Sequence, residues 1–461
     1  MIHLAHPLWT LLNRYVQGGV VEQGGKETGQ MATGMKYRVG ALAFSALILV
    51  TACSSGTPSP SSQASTGGPV TLHALFMKQA GYSDAQVKAM TDAFTAANPN
   101  ITVQTEFVAY EALHDKIVTD QVGGSGIYDT VLMDTIWPAE FAHAGIVLDL
   151  TAKLPAEFTS GVFQSALAGG EYQSKFYGVP WLNDTEFLFY NKAMLAKAGF
   201  TTPPKTWDEL LTQARALKAQ GIVQYPFVGQ WAQSELGVCD WTTIAGGLGG
   251  ATFFDAQENP TFNKGGPLAA LQLMVQMKSE GLANPASLGY GSDDVRNVLI
   301  AGQAAFGLDW TYVYAAANDP SQSKVVGQIA VAPGPGGNGA VASGTNGGMS
   351  LAVTRSSKHP DEAMKYALFL ASQAMEEKYT DSALPQWKAS FDNSALSTGA
   401  PELWAAAKVA FGTMVSRPMV PYYTTLSNAL QVALQKALTG EQTPQAALDA
   451  VAAQVPSMKS Q

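Results

Sequence analysis

Aromatic side chains in this chain lie repeatedly within a few residues of a carboxylate or an amide. Aromatic rings cover the apolar C–H face of a sugar, and carboxylates or amides accept hydrogen bonds from its hydroxyls. Any single tryptophan could instead be a half-buried core residue. The set falls at predicted strand ends and loops, where ligand sites of α/β sheets lie, and therefore predicts a site for a neutral polyol. Its members are Asp134, Trp137, Trp181, Asn183, Asp184, Glu186, Trp231, Gln233, Glu235, Asp240, Trp241, Asp309, Trp310, Tyr312, Arg417, Tyr422 and Tyr423.

The same carboxylates could form the acid pair of a glycosidase, but no motif selects one pair above the others. The chain contains no His-Glu-x-x-His and no Gly-x-Ser-x-Gly sequence, and its histidines are scattered. Gly334, Gly336 and Gly339 match a dinucleotide loop, but Pro333 and Pro335 interrupt it and no helix pattern follows. We interpret this stretch as a surface loop. No catalytic residue, metal or cofactor is predicted.

An export signal precedes the region that carries these residues. Lys36 and Arg38 are followed by an apolar run, 39–50, and then by Thr51, Ala52 and Cys53. This order is typical of a secretory signal peptide that ends in a lipobox, whose cysteine is acylated after cleavage. A short membrane-spanning helix is the alternative, but the run is too short to cross a bilayer. We therefore expect lipidation at Cys53 and anchoring to the outer face of the cytoplasmic membrane.

The segments around the signal define the first domain boundaries. Residues 1–52 are assigned to the signal peptide with an upstream extension, which we interpret as a start assigned ahead of Met35. A genuine cytoplasmic extension is the alternative. Residues 53–69 are rich in Ser, Gly, Pro and Thr and are expected to form a flexible tether.

The remaining residues, from about 70 to 461, are long enough for two domains. The 461-residue chain is 46% hydrophobic and only 14% charged, which permits a substantial core. Its formal net charge of −9, without a basic block, argues against nucleic acid as a partner. Cys239 is the only cysteine besides Cys53, so no disulfide framework exists.

The hydrophobic pattern predicts an α/β protein with a mostly parallel sheet. Strands are expected at 70–76, 101–108 and 128–133. Ser83 and Gln86 form a possible capping box for the helix between the first two. Thr206 and Glu209 are expected to form a capping box at the start of a second clear helix, which Gly221 should end. Further helices are expected at about 267–280, 361–371 and 425–438.

Three stretches in the middle of the chain resemble the signature of extracellular solute-binding proteins of family 1, the sugar-binding components of ABC importers. They are Tyr177-Gly178-Val179-Pro180, Phe189-Tyr190-Asn191-Lys192-Ala193-Met194-Leu195 and Pro203-Pro204-Lys205-Thr206-Trp207-Asp208-Glu209-Leu210. Weaker pieces at 128–131, 142–145, 304–310, 346–348 and 417–422 follow in family order. The resemblance covers nearly all of the region from residue 70 onward.

This resemblance implies a two-lobe periplasmic-binding-protein fold with a three-crossover hinge and a ligand cleft between the lobes. We expect lobe 1 to comprise 70–182 with about 326–382, and lobe 2 to comprise 183–325 with about 383–461. By position, Asp184 matches a sugar-binding carboxylate of the maltose-binding relatives, and Trp310 matches a stacking tryptophan. Asn346, Gly347 and Arg417 also match site positions. Met133 replaces an aromatic residue of those relatives, which argues against a long maltodextrin ligand, and Asp134-Thr135-Ile136-Trp137 resembles the trehalose-type branch.

Together the residues and the resemblance predict a non-enzymatic, membrane-anchored binding protein. It would capture a neutral oligosaccharide, namely a disaccharide of trehalose or maltose type, as a monomer and deliver it to the transmembrane subunits of an ABC permease. The alternatives are a binder of a glycerophosphodiester or another polyol, and a secreted glycoside-cleaving enzyme.

Overall fold

The computed structural model describes residues 68–78, 81–337, 342 and 344–460. The predicted signal peptide, Cys53, most of the tether and Gly339 lie outside these ranges. The described residues from Gly68 to Ser460 pack together as one unit. Among the helices of this described region, none is long and apolar enough to cross a membrane.

The strands form two larger sheets and one hairpin. Their bounds are β1 Val70–Met77, β2 Ile101–Val108, β3 Thr130–Asp134, β4 Glu171–Tyr172, β5 Lys175–Phe176, β6 Val179–Leu182, β7 Phe187–Asn191, β8 Phe227–Val228, β9 Phe306–Asp309, β10 Ile329–Ala332 and β11 Met349–Val353. The first sheet has the order β2-β1-β3-β11-β6, and the second has the order β10-β7-β9-β8. Strands β4 and β5 pair only with each other.

The predicted strands at 70–76 and 101–108 are confirmed, and the third begins at Thr130 rather than at residue 128. The expectation of a mostly parallel sheet is wrong. Strands β1–β2 and β1–β3 are parallel, but β11 runs antiparallel to both of its neighbours, β3 and β6. In the second sheet only β8–β9 is parallel. Both sheets are therefore mixed, because some of their strands run in the direction opposite to that of their neighbours.

The chain passes between the two sheets three times. It leaves the first sheet after Leu182 and enters the second at Phe187, and it returns between Ala332 and Met349. The third passage follows the helix Pro360–Leu370, which packs on β11 of the first sheet. It leads to the helix Pro401–Ala410, which packs on β10 of the second sheet. Strand β10 pairs with β7 of the second sheet, so we propose a lobe boundary after Ala332 instead of near residue 326. The complete division into lobes remains a proposal.

The helices cover both sheets and dominate the C-terminal part of the described chain. Their bounds are Asp84–Ala97, Tyr110–Val122, Pro138–His143, Ala156–Gly161, Gln164–Ala168, Lys192–Lys197, Trp207–Ala219, Glu235–Gly247, Gly265–Ser279, Ser292–Ile300, Tyr312–Asn318, Pro360–Leu370, Gln373–Glu376, Ser394–Ser397, Pro401–Ala410, Tyr423–Thr439, Pro444–Ala452 and Val455–Lys459. Short 3₁₀ turns occupy Pro285–Gly289, Glu377–Tyr379 and Lys388–Asp392.

One of the two predicted capping boxes forms completely, and the other forms only in part. Ser83 and Gln86 form the reciprocal capping box, with the side chain of each accepting the backbone N–H of the other. The Thr206 hydroxyl accepts the N–H of Glu209, but the Glu209 carboxylate accepts from Lys205 instead of Thr206. Gly221, at φ +67°, follows the end of that helix in the left-handed region that glycine favours.

The stretch Gly334–Gly336 is not the surface loop expected from its prolines and glycines. All three residues are buried. Gly336 donates its N–H to the Lys205 carbonyl and accepts the N–H of Trp207, each at 2.9 Å. The stretch is buried because its backbone pairs with the start of the helix Trp207–Ala219.

Candidate functional site

Four of the predicted site residues form a buried group, here called the arginine cluster: Asp134, Glu235, Asn346 and Arg417. Arg417 is only 4% exposed. One terminal nitrogen donates to Glu235 Oε1 at 2.7 Å, and the other lies 3.3 Å from Asp134 Oδ1 and 3.1 Å from the Asn346 carbonyl. Two carboxylates thus compensate one cation that would be costly to bury alone.

The arginine cluster joins segments that are far apart along the chain. Asp134 is the last residue of β3 in the first sheet, and Glu235 begins the helix Glu235–Gly247. Asn346 lies in the second passage between the sheets. Tyr110 donates to Asp134 Oδ2 at 2.9 Å, and Tyr423 donates to Glu235 Oε1 at 2.6 Å. Burial raises the pKa of both tyrosines, so they remain donors at neutral pH.

Trp137 lies beside this cluster, between aromatic neighbours. Its ring is nearly parallel to that of Tyr110, with the centroids 6.1 Å apart and the planes at 13°. His114 and Phe141 contact it at centroid distances of 5.2 Å and 5.7 Å. Trp137 is buried, and protein rings occupy much of its surface.

A second group, here called the carboxylate–tryptophan unit, contains Asp184, Trp310, Thr311 and Gly347. Asp184 Oδ1 accepts the Thr311 hydroxyl and the backbone N–H groups of Thr185 and Thr311, at 2.8 Å and 3.4 Å. Gly347 donates its N–H to the Asp184 carbonyl at 2.9 Å. The half-buried Trp310 ring lies so close to Gly347 that an added Cβ would fall 2.3 Å from a ring carbon. The first passage, the end of β9 and the second passage therefore meet here.

Asp309 and Asn183 adjoin this unit and carry polar atoms without protein partners. Asp309 Oδ1 accepts from Ser292 at 2.7 Å and from the Trp310 N–H at 2.9 Å. Its Oδ2 is buried without a hydrogen-bond partner among the described residues, as is Asn183 Nδ2. Burial raises the pKa of Asp309 well above its ordinary value. Ser165 links Asn183 to Asn346, because its hydroxyl donates to the first and its carbonyl accepts from the second.

Glu186 belongs to a third group, here called the acid cluster, formed with Gln230, Asp240, Thr243 and Thr345. All five residues are fully buried. The Gln230 amide lies 3.2 Å from Glu186 Oε1 and 3.1 Å from Asp240 Oδ1, and Thr243 donates to Glu186 Oε2. Burial raises the pKa of Asp240 to about 7, and burial together with Asp240 raises that of Glu186 well above its ordinary value.

Trp241 and Tyr422 lie apart from these three groups, whereas Trp231 follows Gln230 and adjoins the acid cluster. Trp241 is fully buried, meets Phe253 edge to face and donates to the Pro267 carbonyl at 2.7 Å. These contacts are those of a core residue. Trp231 lines a cavity of about 10 Å³, and its indole side chain lies close enough to Asp240 to lower the pKa of that carboxyl, against the larger effect of burial. The half-buried Tyr422 ring meets Phe254 at a centroid distance of 6.4 Å.

The structure also brings in residues that the sequence did not nominate, notably Tyr110, Ser165, Thr311 and Thr345. Thr311 had the clearest signal, because it follows Trp310 directly at a strand end. Ser165 lies on a short helix and had no distinguishing pattern. Within the described ranges, no group of three or more His, Cys, Asp or Glu side chains could hold a metal ion. The chemistry that the three groups offer is hydrogen bonding and ring stacking.

Comparison with known proteins places the chain among the extracellular binding proteins. The model of the bacterial extracellular solute-binding protein family matches residues 80–377. A probable ABC transporter-binding protein of Deinococcus radiodurans is 30% identical over 345 residues, 72% of this chain and 80% of that protein. An uncharacterised lipoprotein of Streptomyces antibioticus is 26% identical over 70% of each chain.

The fold comparison agrees. The structure is similar to that of the maltose-bound MalE3 protein of T. maritima, with a TM-score of 0.76 and 27% identity, over 84% of this chain and 99% of that one. The architecture is therefore the two-lobe fold of the periplasmic sugar-binding proteins. The chain belongs to the bacterial extracellular solute-binding protein family.

Proposed function

We propose that this protein is the sugar-binding component of an ABC importer and that its ligand is a neutral disaccharide of trehalose or maltose type. The observation that carries the proposal is the carboxylate–tryptophan unit. In this unit the half-buried ring of Trp310 lies near the Asp184 carboxylate. Only one of the two carboxylate oxygens, Oδ1, accepts hydrogen bonds from described residues. A ring of this kind covers a sugar face, and the second oxygen can accept a sugar hydroxyl.

Two further features support a polyol ligand. Asp309 Oδ2 and Asn183 Nδ2 are buried without partners in the described chain, and such atoms are costly unless a ligand or water satisfies them. The similar MalE3 protein is a maltose-bound form. On this proposal the ligand site comprises Asp134, Trp137, Asn183, Asp184, Glu235, Asp309, Trp310, Asn346, Gly347, Arg417 and Tyr422. We leave out Trp241 as a core residue, Glu186 as a member of the acid cluster and Trp231 because it adjoins that cluster.

Closure of two lobes supplies the mechanism. The arginine cluster and the carboxylate–tryptophan unit each combine residues from both sheets or from the passages between them. A sugar held by both halves would bind the closed form more tightly and shift the population toward it. The permease would then recognise the closed form.

The ligand class can be tested by a thermal-shift screen over mono-, di- and trisaccharides, polyols and a glycerophosphodiester. A ligand that binds only the native state raises the melting temperature. We expect the largest rise with a disaccharide. A rise with the glycerophosphodiester alone would contradict a neutral sugar, and release of reducing ends from the oligosaccharides would contradict a non-enzymatic role.

The sharpest single substitution is Asp184→Ala. It should abolish measurable disaccharide binding by titration calorimetry, since charge-assisted hydrogen bonds contribute about 1.5–3 kcal/mol each. The ligand-free melting temperature should change little, because the substitution also removes a desolvated carboxylate. Asp184→Asn should keep part of the affinity through its remaining acceptor. Normal binding by Asp184→Ala would place Asp184 in the scaffold.

We also propose that Cys53 carries the lipid anchor after cleavage at Ala52–Cys53. The order of cations, apolar run and small residues before the cysteine supports this, and one similar protein is named a lipoprotein. Intact-mass analysis of membrane-extracted protein should give a chain that begins at acylated Cys53. A chain without lipid, or with residues before Cys53, would contradict it.

A further inference from the structure

The carboxylate of Asp184 is held asymmetrically. Every hydrogen bond that it accepts from the described protein falls on Oδ1, from the Thr185 N–H, the Thr311 N–H and the Thr311 hydroxyl. No described residue donates to Oδ2. One residue, Thr311, thus supplies two of the three donors that fix the carboxylate plane.

Thr311 also connects Asp184 with the ring expected to contact the same ligand. Thr311 follows Trp310 directly after the end of β9. The backbone at Trp310 is held by its N–H, which donates to Asp309 Oδ1 at 2.9 Å. The Trp310 ring packs on Gly347, whose N–H binds the Asp184 carbonyl. The position of Thr311 therefore determines how the carboxylate lies relative to the ring.

We infer that Thr311 is a positioning residue for ligand binding: its hydroxyl holds Asp184 Oδ1 so that Oδ2 is presented, ionised, beside Trp310. This inference rests on the proposed function, because it assigns Asp184 the sugar acceptor role. Thr311 itself need not touch the ligand.

The electrostatics of Asp184 give the inference a second readout. Burial raises the pKa of Asp184 to about 6, and the hydrogen bonds from Thr311 and Thr185 oppose this rise. Only burial and these hydrogen bonds shift the pKa of Asp184, and no charged neighbour contributes to the shift. Loss of the hydroxyl should therefore raise the pKa further and leave more of the carboxyl protonated near neutral pH. A protonated carboxyl is a weaker acceptor, so binding should suffer most on the acidic side.

The test compares Thr311→Val, which keeps the shape but loses the hydroxyl, with Thr311→Ser, which keeps the hydroxyl. Infrared spectroscopy of the carboxyl stretch gives the titration of Asp184 in ligand-free protein, with Asp184→Asn assigning the band. Calorimetry with maltose and trehalose, at pH 6 and pH 8, gives affinity. We expect Thr311→Val to raise the Asp184 midpoint by about one pH unit. Its affinity should fall about fivefold more at pH 6 than at pH 8, because the ionised fraction of Asp184 at pH 6 falls from about one half to about one tenth. Thr311→Ser should stay within about twofold of wild type.

The outcomes separate this inference from the proposed function. An unchanged Asp184 midpoint in Thr311→Val overturns the role of Thr311, whatever the sugar data. A raised midpoint with unchanged sugar affinity overturns it as well, because Asp184 would then not be the acceptor. If wild-type protein binds none of the sugars in the screen, the proposed function itself fails.

Discussion

The arginine cluster and the acid cluster are both buried polar groups at the passages between the two sheets. They differ in how their buried carboxyl groups are stabilised. In the arginine cluster, Arg417 faces the carboxylates of Asp134 and Glu235 at 3.3 Å and 2.7 Å. In the acid cluster, Glu186 and Asp240 share the amide of Gln230, and no cation pairs with them among the described residues. In the arginine cluster a cation pairs with both carboxylates, and in the acid cluster the negative charge is reduced by bound protons.

This difference predicts different responses to mutation and to pH. A paired buried charge is costly to break but is insensitive to pH near neutrality. A buried carboxyl pair without a cation is stable only while it keeps a proton, so its contribution depends on pH. Substitutions in each cluster can therefore distinguish stabilisation by a paired cation from stabilisation by a retained proton.

Arg417→Met should give the largest loss of stability. It leaves two buried carboxylates without their cation, which typically costs about 3–5 kcal/mol of unfolding free energy. Urea denaturation measures this loss. Arg215→Met is the matched control, because Arg215 pairs with Glu280 at the surface and should contribute less than about 1 kcal/mol. Equal losses in the two variants would contradict a structural role for the arginine cluster.

Asp240→Asn should change the pH dependence of stability. The native protein keeps a proton on Asp240 up to about pH 7, whereas the unfolded chain releases it near pH 4. Wild-type stability should therefore fall as pH rises from about 4 to 7, and the loss should be complete above that. Relative to wild type, the variant should gain about 2–4 kcal/mol between pH 4 and pH 8. Urea denaturation of both proteins at pH 4, 6 and 8 measures the gain.

Asp208→Asn, at an exposed helix position, serves as the control and should follow the wild-type pH profile. A profile for Asp240→Asn that is parallel to that of wild type would mean that Asp240 itself does not hold a proton at neutral pH in the native protein.

Thr345→Val should have the smallest effect. The Thr345 hydroxyl donates to the Cys239 carbonyl at 2.8 Å and lies 2.9 Å from the Thr243 hydroxyl. Removing one neutral buried hydrogen bond typically costs about 1 kcal/mol. Thr212→Val removes an exposed hydroxyl bond to the Asp208 carbonyl and should cost less in the same urea measurement. A loss as large as that of Arg417→Met would mean that Thr345 holds the second passage in place.

Local signals in the sequence predicted much of the fold. Strands β1 and β2 and the capped helices after Ser83 and Thr206 were found because each depends on residues within a few positions. The antiparallel insertion of β11 and the pairing of β10 depend on contacts between distant segments, and no local pattern encodes them. For this reason the expectation of a mostly parallel sheet was wrong, and the place of β10 in the second sheet was not anticipated.

The site was predictable by residue type but not by arrangement. Asp134, Asn346 and Arg417 were all nominated, yet nothing in the sequence indicated that Arg417 would bond Asp134, which lies 283 positions away. Glu186 resembled the other carboxylates until the structure placed it beside Asp240. Thr311 was passed over because a threonine carries no distinctive signal, although its hydroxyl binds Asp184.

The position of β11 has a consequence for the order in which the chain can fold. This strand fills the gap between β3 and β6, but it follows every strand of the second sheet along the chain. Until it emerges, β3 and β6 each have an unpaired edge, and pairing between such distant segments is slow. The sheet that contains the first strands to be synthesised is therefore the last to be completed.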